Sequence, residues 1–104
     1  MPDIKAQCTA LAPELVRFRR DLHQIPEAGM AEYKTAAYVA EQLHNLGLEV
    51  QTGIAGTGIK AVLRTGRPGP TLMYRADMDG LPVQERTGLA WASRHPDMMH
   101  ACGH

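Results

Sequence analysis

Up to Gly47 the apolar residues of this chain recur at helical spacing, and beyond it they do not, so a helical half must be joined to a half built from something else. Leu11, Leu15, Phe18 and Leu22 follow at intervals of four, three and four, while Glu14, Arg17, Arg19 and Arg20 turn away from them. That spacing predicts a helix from about Thr9 to the neighbourhood of Pro26. In "EYKTAAYVAEQLHNLG", Tyr33, Ala36, Ala40, Leu43 and Leu46 share a face, and Gly47 stands where a left-handed C-cap is wanted. The alanines on this second face require a close, flat neighbour.

After Gly47 the runs shorten. "LEVQT" (48–52) alternates apolar and polar residues, and "IKAVLR" (59–64) and "TLMYRA" (71–76) are short runs of buried character, so three strands are predicted. "TGRPGP" between the last two marks a turn and favours a hairpin connection. The order helix, helix, strand, strand, strand predicts an α/β layer, with both helices on one face of a sheet and Leu15, Leu22, Ala40, Leu43, Val62 and Leu72 inside. The glycines of "GIAGTG" (53–58) are read as a plain loop, because a strand-like run follows them where a dinucleotide fingerprint needs a helix. At 104 residues the chain is one domain at most, and it shows no repeat, low-complexity tract or linker.

Charge and cysteine content narrow the function classes. Eleven Lys and Arg balance eleven Asp and Glu, which gives no footprint for a nucleic-acid or anionic-membrane partner. No window approaches the roughly 20 apolar residues of a membrane span. With only Cys8 and Cys102 there is no disulfide framework, and "MPDIKAQCTALAPELVRF" lacks a basic leader followed by a long apolar run. The expectation is a protein of the reducing cytoplasm.

Three groups carry candidate chemistry. Asp77 and Asp79 in "RADMDGLP" lie two apart at the end of a predicted strand, where open α/β sheets place ligand crevices, although Asp beside Gly and Pro is also ordinary turn chemistry. His23 stands near the end of the first helix, where the macrodipole alone favours it. In the terminal "HACGH", an extended backbone would place His100, Cys102 and His104 on one face, and a thiolate beside imidazole suits Zn²⁺ and other first-row divalent ions. The alternative is a free cysteine with histidines nearby by chance. Two or three ligands do not close a tetrahedral site.

Together "DLHQIPEAGMAEYKTAAYVAEQLHNLGLEV", "GIAGTGIKAVLR", "YRADMDGLPVQERTGLAWAS" and "MHACGH", in that order, resemble the N-terminal portion of the metal-dependent amidohydrolases. These include hippurate hydrolase, N-acyl-amino-acid deacylases and the auxin-conjugate hydrolases of plants. The resemblance covers nearly the whole chain from Arg17 onward, and four ordered motifs are far more specific than any one. In that family the motif runs on into an Asp-Gly-His stretch and the chain is several times longer. The resemblance therefore implies a partial α/β/α sandwich of the zinc-exopeptidase type over residues 1–104, with the rest of the catalytic domain and an inserted dimerisation or lid domain lying elsewhere.

Carried over residue by residue, the resemblance implies that Cys102 is the thiolate between two divalent ions (Mn, Zn or Ni) and that His104 is a ligand to one of them. The remaining ligands and the general-base glutamate fall beyond residue 104. Asp79 matches the second acid of a motif that reads His-x-Asp in related dipeptidases and carboxypeptidases, which implies an orienting role; Asp77 stands in the histidine's place, a departure that leaves its own role open. His100 matches the motif without a ligand role in it, and Gly80 departs from the alanine usual there. The implied activity is hydrolysis of an N-acyl amino acid, hippurate-like, to a carboxylate and a free amino acid by a homodimer or homotetramer. Two other readings stay open on the residues alone: a small structural zinc module using His100, Cys102, His104 and Asp77 or Asp79, and a metal-free interaction domain.

Overall fold

A computed structural model describes residues 1–103. Helix α1 spans Ile4–His23, five residues earlier at its start than the periodicity suggests. Asp3 explains the extension: it is the N-cap, and its carboxylate accepts the Ala6 amide at 3.0 Å. Pro13 lies inside α1, so the Thr9 carbonyl receives no amide from it. Arg20 and His23 occupy the last turn, where cations complement the carbonyl end of the helix.

Helix α2 covers Tyr33–Asn45. Its first turn has no side-chain cap of its own, and Glu27 supplies one from outside. The Glu27 carboxylate accepts the Lys34 amide at 3.1 Å, the Thr35 amide at 2.6 Å and the Thr35 hydroxyl at 2.7 Å. Tyr38 ties α2 back to α1 by donating to Asp21 Oδ2 at 2.6 Å; burial, with that carboxylate beside it, pushes the phenol up to about 12. Gly47 has φ 78°, the C-cap geometry read from the sequence.

Strands β1 (Glu49–Ile54) and β2 (Gly58–Val62) pair antiparallel, with Glu49 opposite Val62, Val50 opposite Ala61 and Gln51 opposite Lys60. The register slips by a bulge between Gln51 and Ile54. Their connection is the glycine loop, in which Ala55 and Gly56 take φ values of 51° and 104°. The hairpin therefore sits at residues 55–57, and "TGRPGP" joins no pair of strands. Helix α2 packs across both strands, whereas α1 makes no comparable contact with them.

Two further expectations are corrected. Residues 71–76 form no strand, and Leu72, Met73 and Tyr74 are 77, 88 and 93% exposed. A strand is a pairing as much as a local conformation, and no segment among the described residues offers this run its hydrogen bonds. Of the expected core, Leu22, Ala40, Leu43 and Val62 are half-buried, but Leu15 and Leu72 are exposed. A two-stranded hairpin is too narrow to cover α1 as well as α2, so among the described residues no hydrophobic side chain is fully buried.

Apart from Pro26 and Gly80, what is buried among the described residues is polar and paired. Thr57, in the hairpin turn, donates its hydroxyl to Glu32 Oε2, while Glu32 Oε1 accepts the Met30 amide at 2.7 Å. The Thr57 hydroxyl, above the opposing effect of burial, holds the Glu32 carboxyl below its usual value. Replacing Thr57 by Val keeps the shape and removes the donor, leaving a buried acceptor short of a partner. The expected cost is about 1–3 kcal/mol, read from denaturant unfolding of the complete polypeptide carrying these residues. An unchanged midpoint would show that the turn is not pinned by this bond.

The same carboxylates set a pH dependence. Burial raises the Glu27 carboxyl, but the Thr35 amide and hydroxyl, the Lys34 amide and the nearby His95 together outweigh it, so it too lies below 4.5. Groups depressed in the folded state contribute stability above the unfolded value of 4.5 and lose it as pH falls through the lower folded value. Unfolding midpoints are therefore expected to fall below pH 4.5, and more shallowly in Thr57→Val, which has already lost the contribution of Glu32. A midpoint that stays level through that window contradicts the assignment.

Candidate metal centre

The stretch "HQIPE" is a hub. His23 closes α1, Pro26 is buried, and Glu27 both caps α2 and accepts the Gly80 amide through its carbonyl at 2.6 Å. That last bond brings the loop bearing Asp79 against the end of α1. Contact is close: a Cβ built on Gly80 would lie 2.9 Å from Pro26 Cβ and 3.4 Å from His100 Cδ2. Gly80 is thus part of how the loop seats, since an alanine there requires the Pro26 ring to move.

One residue further, Leu81 and Met99 form an antiparallel bridge, their amides and carbonyls exchanging bonds of 2.9 and 3.0 Å. The bridge delivers the cysteine-histidine motif beside the hub. His100 turns its ring inward against His23, the two centroids 5.9 Å apart and the planes at 68°. Its Nε2 is buried with no hydrogen-bond partner. Burial, then the neighbouring His23, hold the His100 imidazole below its usual value, with Asp79 opposing them.

Cys102 is exposed and free, and it lines a cavity of about 320 Å³ together with Arg19, His23, Glu85, Trp91 and His100. The structure therefore brings Cys102, His100 and His23 to one cavity and sets Asp79 within electrostatic reach of His100. Asp77 does not share that place: it is exposed and its Oδ1 accepts from Arg75 at 2.8 Å. With no strand at 71–76, the argument that Asp77 and Asp79 leave one strand face lapses. His104 lies outside the described residues.

Glu85 escaped the reading of the sequence. It is buried, its Oε1 receives His23 Nε2 at 2.8 Å and the Ser93 amide at 2.8 Å, and its Oε2 accepts from the Thr87 hydroxyl. The Thr87 hydroxyl first, then the Ser93 amide, hold its carboxyl low despite burial, with His23 adding to them. The only signal in the sequence was its place inside "YRADMDGLPVQERTGLAWAS". Trp91 closes the other side, with the Arg20 guanidinium 3.7 Å above its ring.

The donor types suit a divalent ion: a thiol, an imidazole nitrogen lacking a partner, and a carboxylate nearby. Their number does not close a site. Among the described residues no three His, Cys, Asp or Glu side chains converge as a metal cluster; the zinc-module reading also uses His104, which lies outside them.

No family model matches the chain. An N-acetyldiaminopimelate deacetylase from Bacillus cytotoxicus is 50% identical over 94 residues, which is 88% of this chain and 24% of that protein. The crystal structure of an aminohydrolase from methicillin-resistant Staphylococcus aureus superposes with a TM-score of 0.88 at 42% identity, over 94% of this chain and 26% of that one. A dinuclear metal-binding peptidase of the M20 family from Bacillus subtilis superposes with a TM-score of 0.84 at 36% identity, over 91% of this chain and 27% of that one. The chain spans about a quarter of the length of the relatives it matches. Sequence and fold thus agree over most of this chain, and its homologues are amidohydrolases and M20-family dinuclear-metal peptidases, each matched over about a quarter of its length.

Proposed function

We propose that these residues are the N-terminal part of a catalytic metallohydrolase domain, and that the complete protein hydrolyses the amide bond of an N-acyl amino acid. The observation that carries this reading is the superposition on a dinuclear metal-binding peptidase over 91% of the chain. In this reading the domain is an α/β/α sandwich that acts in the cytoplasm as a homodimer or homotetramer. Cys102 and His104 are ligands to a pair of divalent ions, and Asp79 is a positioning carboxylate. Such ions polarise an amide carbonyl and lower the pKa of bound water. The chain's own residues hold and orient: Cys102 presents a thiol at an open cavity wall, and Asp79 sits where its charge bears on the His100 side of the motif.

The substrate class is an N-acyl amino acid, for which a deacetylase among the relatives lends support. The test is hydrolysis by the complete polypeptide of N-benzoylglycine and of N-acetyldiaminopimelate, each before and after metal removal by a chelator. Turnover of either that is lost with the metal and restored by Mn²⁺, Zn²⁺ or Ni²⁺ supports the reading. Chelator-insensitive turnover, or cleavage of esters but no amide, refutes it.

A further inference from the structure

We infer that Glu85 and His23 form a buried positioning pair that fixes the metal-binding segment through the ring of His100. This rests on the reading of Cys102 as a metal ligand. The segment needs such a support: among the described residues Met99 is the last whose backbone is hydrogen-bonded, and His100, Ala101, Cys102 and Gly103 belong to no helix or strand. A ligand on an unsupported backbone loses its freedom only when the metal binds, and affinity falls accordingly.

The pair supplies rigidity from below. Glu85 cannot rotate, because one oxygen holds the Ser93 amide and His23 while the other accepts from Thr87. Facing an acceptor-only carboxylate, His23 Nε2 carries its proton and donates at 2.8 Å, which sets the ring plane. That ring meets the His100 ring edge-on at 5.9 Å. On the other side His100 abuts Gly80, where even a Cβ would come within 3.4 Å of Cδ2. His100 is thus held between an oriented histidine and a backbone, and Cys102 follows two residues later on the cavity wall. Residues 62 positions apart in sequence are joined by one bond to hold a short motif in place.

The test uses the complete polypeptide freed of metal and titrated with Co²⁺, whose near-ultraviolet thiolate charge-transfer band reports a Cys102–metal bond directly. The variants are His23→Phe, which keeps a ring and loses the bond to Glu85, and Glu85→Gln, which removes the charge. Each is expected to keep the band but to require about 10–100-fold more Co²⁺ to develop it, the loss typical of outer partners of metal ligands. Thr57→Val, which loses a bond to Glu32 and none to His23, Glu85 or His100, is expected to bind as the wild type does. Unchanged Co²⁺ affinity in both variants overturns the inference, and so does an equal weakening in Thr57→Val, which would make the effect one of general stability. If neither variant folds, Thr87→Val decides: a smaller weakening of the same sign supports the pair, and none overturns it. A band that survives in Cys102→Ser instead refutes the ligand assignment itself.

Discussion

Replacing Cys102 by Ser in the complete protein is expected to lower metal-dependent hydrolysis by more than about 100-fold, since losing a mere outer partner of a ligand already costs 10–100-fold. A thiol binds a metal by giving up its proton, whereas a serine hydroxyl keeps its own at neutral pH, so the negative charge proposed to lie between two cations disappears. Nothing in the fold opposes this role for Cys102, which is exposed, unpaired and on the wall of the cavity. Cys8 is the internal control. It is exposed on α1, outside every matched motif, and its change to Ser is expected to leave activity and metal content near those of the wild type. Metal content by elemental analysis and turnover should fall together for Cys102 alone. Comparable losses for both cysteines would falsify the assignment of roles.

The features that could be read from sequence are those that depend on a segment's own residues. The helices were legible because Leu11, Leu15, Phe18 and Leu22, and again Ala36, Ala40 and Leu43, repeat at the helical period whatever surrounds them, although Leu11 and Leu15 are exposed. The C-cap at Gly47 was legible for the same reason. The strand expected at "TLMYRA" is not there, because a short apolar run says nothing about which segment will pair with it. Hairpin placement failed on a competition between two turn signals: Pro and Gly density pointed to residues 65–70, yet the register places the turn at the glycine loop. His23 shows the limit most clearly. Its position at a helix end gave a sufficient local reason for it, and its partners Glu85 and His100 become visible only once the chain has folded back 62 and 77 residues later.

The 104 residues by themselves are expected to associate with one another, to hold a divalent ion weakly and to turn over no N-acyl amino acid. Association follows from the surface. No hydrophobic side chain is fully buried among the described residues, Leu63, Leu72, Met73 and Tyr74 are each more than 70% exposed, and each strand of the hairpin has an unpaired edge. Weak binding follows from the ligand count, because tight sites need several fixed, deprotonated groups and an oriented outer layer, and only Cys102 and His104 are proposed as ligands. A thiolate with one imidazole prefers Zn²⁺ to Mn²⁺, so whatever binding occurs should be stronger for zinc. No turnover follows because neither the remaining ligands nor a general base is matched by any residue of this sequence. Sedimentation and binding of a hydrophobic dye measure the first expectation, calorimetric titration with Zn²⁺ and Mn²⁺ the second, and N-benzoylglycine hydrolysis the third. A monodisperse monomer that binds two metals tightly, or one that hydrolyses the substrate, would mean that the polar hub of His23, Glu27 and Glu85 organises a complete site without further chain.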